Sequence, residues 1–184
     1  MKTFALINNL YIKPNAIRTI IAGHNILAGC IDAIDFSLDD FKNSNDKVLI
    51  EKKAFSCNYR EIALISKYFA KMRNEGIPYM GFGSEFVGIV VDIGKNVNDL
   101  KIGDKVIPLC SYSKESSYKG VPSNQASLRR YAFYASQLIK ISDEIPDEIA
   151  ASFPVAACTV YGMIRRLSLK DGENILITDR KSVV

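Results

Sequence analysis

One histidine, His24, is all the imidazole in this sequence, and its four cysteines, Cys30, Cys57, Cys110 and Cys158, stand far apart. No C-x-x-C pair occurs among them. That argues against both a zinc knuckle and a disulfide framework, and the cysteines read as buried free thiols of a cytoplasmic protein. A single imidazole cannot build a site, so His24 reads as a solvent or packing residue. No apolar run approaches the ~18 residues a membrane helix needs. The opening MKTFALINNLY has one lysine and a short apolar patch broken by asparagines. No small-residue cleavage site follows it, so no signal peptide is expected. A dense basic cluster is missing too. The net charge of +4 is spread along the chain, which excludes a nucleic-acid footprint.

What is present is an ordinary globular composition, 48% hydrophobic and 24% charged, over 184 residues. That length suffices for one domain and part of a second. Phe4–Ile12 and Ile17–Leu27 are isoleucine-rich stretches separated at Pro14-Asn15, and predict two strands or a strand and a short helix. Residues 36–47 carry turn formers and read as a loop. Lys47–Phe55 reads as a strand. Over residues 58–73, Tyr59, Ile62, Ile65, Tyr68 and Met72 recur at helical spacing, which by itself means a core-facing helix. Phe86–Ile93 is a β-branched strand, with turns at Gly94-Lys95-Asn96 and Gly103-Asp104. Lys105–Leu109 and Arg130–Ile141 are strand-like, and a Ser/Lys/Tyr-rich loop at 111–127 lies between them. Short strands joined by glycine turns predict a β-barrel or sandwich.

From Asp147 the pattern turns helical. Ile149, Phe153, Ala157 and Tyr161 share one face, and Pro154 kinks the helix or starts a second one. Glu173–Thr178 reads as the kind of buried strand that opens a parallel sheet, just before a phosphate-binding glycine loop would come. The last six residues, Asp179–Val184, do not continue it. One codon reading of them, GAT CGG AAG AGC GTC GTG, is a common sequencing adapter, so this tail is expected to be non-native.

Four segments, in order, resemble the medium-chain dehydrogenase/reductase family. Asn58-Tyr59-Arg60-Glu61 resembles the N-[FY]-R-D element of its enoyl-reductase members. Gly83-Ser84-Glu85-Phe86-Val87-Gly88 with Ile93-Gly94 resembles G-H-E-x-x-G…V-G. Leu100 to Val106 resembles F-x-x-G-D-R-V. Ala150-Ala151 through Thr159-Val160-Tyr161 and Gly172 to Ile177 resemble A-A…T-A-Y…G-x-x-V-L-V. The resemblance implies a mainly β fold: a GroES-like, partly open β-barrel with a few helices, then the linking helix and first strand of a truncated Rossmann domain. The expected divisions are an N-terminal extension packing on the barrel at 1–35, the catalytic domain at 36–146, the Rossmann start at 147–178 and the tail at 179–184.

By the same resemblance, a catalytic zinc would need a Cys where Asn58 stands, a His where Ser84 stands, and a third ligand near Val155. Asn and Ser are poor zinc ligands. The loop after Cys110 lacks the four thiols of a structural zinc lobe. A zinc set of Cys57, Glu85 and Cys158 is the remaining option, so no metal is expected. The chain then resembles the zinc-free quinone oxidoreductase and enoyl reductase branch, which reduces an activated C=C bond with NADPH. The substrate would be a small molecule or a dehydroamino-acid peptide, and the full-length protein a homodimer. Two alternatives are a zinc-type alcohol dehydrogenase with degenerate ligands and a non-catalytic GroES-like domain with a binding role. The resemblance makes Asn58, Tyr59 and Tyr68 the catalytic candidates, Asn58 and Thr159 the cofactor-binding ones, and Glu61 a lesser candidate. Read without it, Asn58 is a helix-capping residue and Thr159 a core-helix threonine.

Overall fold

A computed structural model describes residues 2–11, 15–21, 23–32, 38–109 and 126–175. Two antiparallel sheets carry the fold. In the first, β1 (Lys2–Ile7) lies between β3 (His24–Asp32) and β5 (Tyr79–Met80), and β2 (Ile17–Ile21) extends the sheet beyond β3. Residues 2–32 therefore form three strands, where the sequence predicts two elements. Gly23, at φ 79°, lies between β2 and β3, and the apolar run that reads as one stretch is a hairpin.

The second sheet has the order β8 (Arg130–Tyr134), β4 (Lys47–Ser56), β6 (Glu85–Ile93), β7 (Lys105–Pro108), β9 (Leu138–Lys140). Strands β8 and β9 lie at opposite edges, yet only a single 3-10 turn, Ala135–Gln137, separates them. The sheet must curl to bring its edges that close, and the result is a partly open barrel. Here the continuous strand predicted over 130–141 breaks. The buried Gln137 makes the corner, its side-chain oxygen accepting the Tyr134 amide at 3.1 Å and its carbonyl the Leu109 amide at 2.8 Å.

The barrel interior holds Val48, Ile50, Phe86, Val90, Val106 and Phe133. Gly88 lets β6 approach β4 closely: a Cβ there would overlap Ile50 Cγ2 and stand 3.0 Å from the Glu51 carbonyl oxygen. The paired strand has register shifts on either side, which bend it into the barrel wall. Lys52 is buried in this interior. Its Nζ donates to the Leu128 carbonyl at 2.8 Å and lies 5.1–5.4 Å from the ring centres of Phe86, Tyr131 and Phe133. Burial pushes its pKa well below the ordinary lysine range.

Helices join and cover the sheets. Residues 38–42, predicted as loop, form the short helix α1 (Leu38–Lys42). Phe41 holds it in place by packing against Leu49 and Ala132. The long helix α2 (Arg60–Glu75) packs Ile65 and Met72 against Leu6, Ile26 and Phe82. It ends at Gly76, in the left-handed conformation, whose N–H still reaches the Met72 carbonyl, and Asn8 Nδ2 donates to the Met72 and Ile77 carbonyls at 2.9 and 3.1 Å.

Pro154 starts a second helix, as the sequence allows: α3 (Asp147–Ser152) ends and α4 (Pro154–Leu167) begins with Pro154 in its first turn. Ala150 and Ala151 bury against Val87 and Ile107. Lys105 Nζ ties α3 to the barrel, 2.6 Å from Asp147 Oδ1. The face carrying Ile149, Phe153 and Tyr161 is exposed, contrary to a core-helix reading of this stretch. Residues 173–175 form no strand, and the rest of the strand predicted over 173–178, like the tail, lies outside the described residues.

The expectation of buried thiols is also corrected. Cys30, Cys57 and Cys158 are free and exposed, because each sits at an element's outer face or end. Cys110, and the loop predicted at 111–127 as far as residue 125, lie outside the described residues. His24 is exposed, at the start of β3. No helix among the described residues is long and apolar enough to cross a membrane.

Candidate active site

Four element ends meet at one point: the end of β4, the start of α2, the start of β6 and the start of α4. Ser56 and Glu85 are direct partners across β4 and β6, so the barrel register itself sets Glu85 beside the start of α2. Glu85 is fully buried, and three donors converge on it. Ser56 Oγ and Asn58 Nδ2 each donate to Oε1 at 2.6 Å, and the Val155 backbone N–H donates to Oε2 at 2.7 Å. The carboxylate thus binds α4 to the barrel at a helix N-terminus, where a negative charge is favoured. It also fixes the Asn58 amide, whose NH₂ must face an accepting oxygen.

A second buried acid lies alongside. Ser84 Oγ donates to Glu61 Oε1 at 2.5 Å, while Glu61 Oε2 has no hydrogen-bond partner. Burial pushes the Glu61 carboxyl above the ordinary range. The Ser84 bond, the Arg60 charge and the Gly83 amide oppose that shift, and the Glu85 charge adds to it. Partial loss of water on its site-facing side raises the neighbouring Cys57 thiol too, helped by the Glu61 charge. A thiol so shifted is a poor thiolate nucleophile.

The structure brings some candidates together and separates others. Asn58 sits at the site, half-buried, and its side chain does not cap α2: the helix N-cap is Tyr59, with no side-chain cap bond. Tyr59 is 82% exposed and turned to solvent. Tyr68 lies two turns along α2, packed on the cluster of Leu6, Ile65 and Phe82. Thr159 is exposed on α4, one turn beyond Val155, and its hydroxyl donates to the Val155 carbonyl at 2.7 Å. Asn58, Ser84 and Val155, the three positions where zinc relatives carry ligands, do meet around Glu85. Sequence reasoning missed the role of Glu85 as the common acceptor of Ser56, Asn58 and Val155, and the Ser84–Glu61 pair. The Glu of the G-H-E-like segment was the available signal. Glu85 has both oxygens engaged, and no group of three His, Cys, Asp or Glu among the described residues could hold a metal ion.

An apolar cleft of about 290 Å³ opens beside Asn58. It runs between α2 and the inner face of the β2–β3 hairpin, and Cys57, Asn58 and Glu61 lie along one wall.

A curled GroES-like barrel with this acid-centred corner is the catalytic-domain architecture of the medium-chain dehydrogenases/reductases. The chain belongs to the alcohol dehydrogenase GroES-like domain family, whose model matches residues 44–143. It is similar to the acryloyl-coenzyme A reductase of Sulfurisphaera tokodaii, 27% identical over 160 residues, which cover 76% of this chain and 45% of that protein. Among solved structures it resembles a quinone oxidoreductase of Pseudomonas syringae, with 20% identity and a TM-score of 0.63 over 94% of this chain and 44% of the other. It also resembles the Escherichia coli quinone oxidoreductase complexed with NADPH, at 18% identity and a TM-score of 0.56 over 91% and 41%. At such identities the solved structures establish the fold. The chain spans about half the length of the curated relatives it matches.

Proposed function

We propose that this chain supplies the substrate-side half of an NADPH-dependent reductase that saturates an activated C=C bond without a catalytic zinc. The observation that carries the reading is the clamp of Asn58 by Glu85. Where a zinc relative would place a thiolate, this chain holds an oriented amide. One N–H of Asn58 Nδ2 goes to Glu85 Oε1, which leaves the second for an oxygen that gains negative charge. A preorganised donor at such a point can stabilise an enolate, as a metal would stabilise an alkoxide.

The residues do not fit a catalytic zinc. An amide, a hydroxyl and an aliphatic side chain stand at the three ligand positions, and the first two are held by carboxylates. They do fit a nicotinamide. The Thr159 hydroxyl donates backward to Val155 and keeps its lone pairs for an amide N–H, on an exposed helix face beside the site. NADPH, when bound, supplies the hydride to the β-carbon. Asn58 would then hold the substrate carbonyl oxygen, and Tyr59, free in solvent, is a candidate to pass a proton inward. Tyr68, packed on Leu6, Ile65 and Phe82 two turns further along α2, is the other candidate proton donor. The acryloyl-coenzyme A reductase match supports a substrate with its double bond conjugated to a carbonyl.

The test begins with the gene, amplified independently from genomic DNA and read past the codon for Thr178. A glycine-rich turn and a helix are expected there. The resulting longer protein should reduce an enone with NADPH, deliver deuterium from the labelled cofactor to the β-carbon, and keep its rate after chelation. Activity that follows bound zinc, or alcohol oxidation without C=C reduction, would overturn the reading. The 184-residue chain alone is expected neither to bind NADPH nor to turn over.

A further inference from the structure

The cleft beside Asn58 is built in a graded way. Among the described strands β2 pairs only with β3, and its alternate side chains Ile17, Thr19 and Ile21 face α2 across a gap. Ile17 and Ile62 stand at the mouth, 62% and 38% exposed. Leu6, Ile26, Ile65 and Phe82 form the buried floor. No lysine or arginine is among the described residues that line it. Glu61, the one acid among the described lining residues, is pushed toward its neutral form by burial. An apolar void that packing leaves unfilled destabilises a fold, yet this one is continuous with the position of Asn58. Its volume, about 290 Å³, sits at the low end of small-molecule sites, which run ~300–1,000 Å³.

We propose that this cleft binds the short, uncharged aliphatic portion of the substrate, with the reacting carbonyl end held at its mouth by Asn58. The identity of that end rests on the reductase reading above; the binding of the chain does not. The cleft thereby selects small apolar enones or enoyl esters over peptides, whose polar backbone would lose its water against isoleucine walls with nothing in exchange. It also selects against a charged tail.

The test uses the 184-residue chain and a saturated probe, 2-hexanone, which cannot alkylate the exposed Cys57. Titration followed by amide NMR should shift Thr19, Ile26, Ile62 and Ile65. Hexanoate should bind at least about tenfold more weakly, since its carboxylate would lose water against isoleucine and phenylalanine walls. A ketone of twelve carbons should bind no better than 2-hexanone. Ile62→Trp, at a partly exposed mouth position, should weaken binding by about tenfold or more, as filling a pocket of this size displaces several methylenes. Thr19→Trp, on the exposed edge strand, should do the same and covers the case in which the first variant misfolds. No shifts at the solubility limit, equal binding of hexanoate, or unchanged binding in both folded variants would overturn the proposal. Binding without reductase activity in the longer protein would refute the reductase reading and leave the cleft standing.

Discussion

Replacing Glu85 by Gln tests the central structural claim, that one buried carboxylate holds both Asn58 and helix α4. The change is isosteric, so it opens no cavity. It turns one accepting oxygen into an NH₂. If the remaining oxygen stays with Ser56 and Asn58, the new NH₂ faces the Val155 N–H, donor against donor. If the amide flips, it faces the two side-chain donors instead. Either way at least one charge-assisted bond is lost and a buried donor is left unpaired. Bonds to charged groups contribute ~1.5–3 kcal/mol, so a loss of about 2 kcal/mol is expected. For a urea slope of about 2 kcal/mol/M, the unfolding midpoint should fall by about 1 M. Hydrogen exchange gives the local reading: the Val155 amide, 2.7 Å from Glu85 Oε2, should lose protection. A double-mutant cycle with Asn58→Ala should show coupling between the two sites, because they share a hydrogen bond of 2.6 Å. An unchanged midpoint together with unchanged Val155 exchange would refute the clamp.

Gly88→Ala should destabilise by about 1–3 kcal/mol in denaturant unfolding, because its Cβ would meet Ile50 Cγ2 and the rigid Glu51 backbone. The depressed pKa of buried Lys52 means the unfolded chain binds the proton more tightly. Stability should therefore rise with pH from the folded pKa up to the ordinary lysine value, and Lys52→Met should remove that rise in a pH series of melts. Glu61 has the opposite sign: its raised folded pKa favours the protonated folded state, so stability should fall as pH rises through the window above the ordinary carboxyl value. Glu61→Gln should flatten that part of the profile. The exposed apolar face of α3 and α4, with Phe153, Val160, Tyr161 and Leu167, should drive concentration-dependent association in light scattering, which Tyr161→Lys reduces.

Much of the fold was legible because its strongest signals are local. β4, α2, β6 and β7 fall within two residues of their predicted bounds, since β-branched runs, helical spacing and glycine turns act over a few residues. The break within 130–141 was not legible. Both halves have strand composition, and only their pairing with opposite sheet edges requires the corner. Likewise α1 depends on Phe41 finding Leu49 and Ala132, a contact invisible along the chain. Of the site, Asn58 and Ser84 could be picked out by motif, while the acceptor joining Asn58 to Val155 could not. Glu85 lies 27 residues from one and 70 from the other.

The sequence by itself determined the positions of β4, α2, β6 and β7, a kink or a new helix at Pro154, and the amide and hydroxyl standing where zinc ligands would be. Tertiary structure decided what those groups do. Curling the sheet set Glu85 against Ser56, Asn58 and the start of α4, and left Glu61 with one unpartnered oxygen. It also laid the β2–β3 hairpin over α2 with an apolar gap between them. These features depend on distances between residues remote in sequence, and such distances exist only once the barrel has closed.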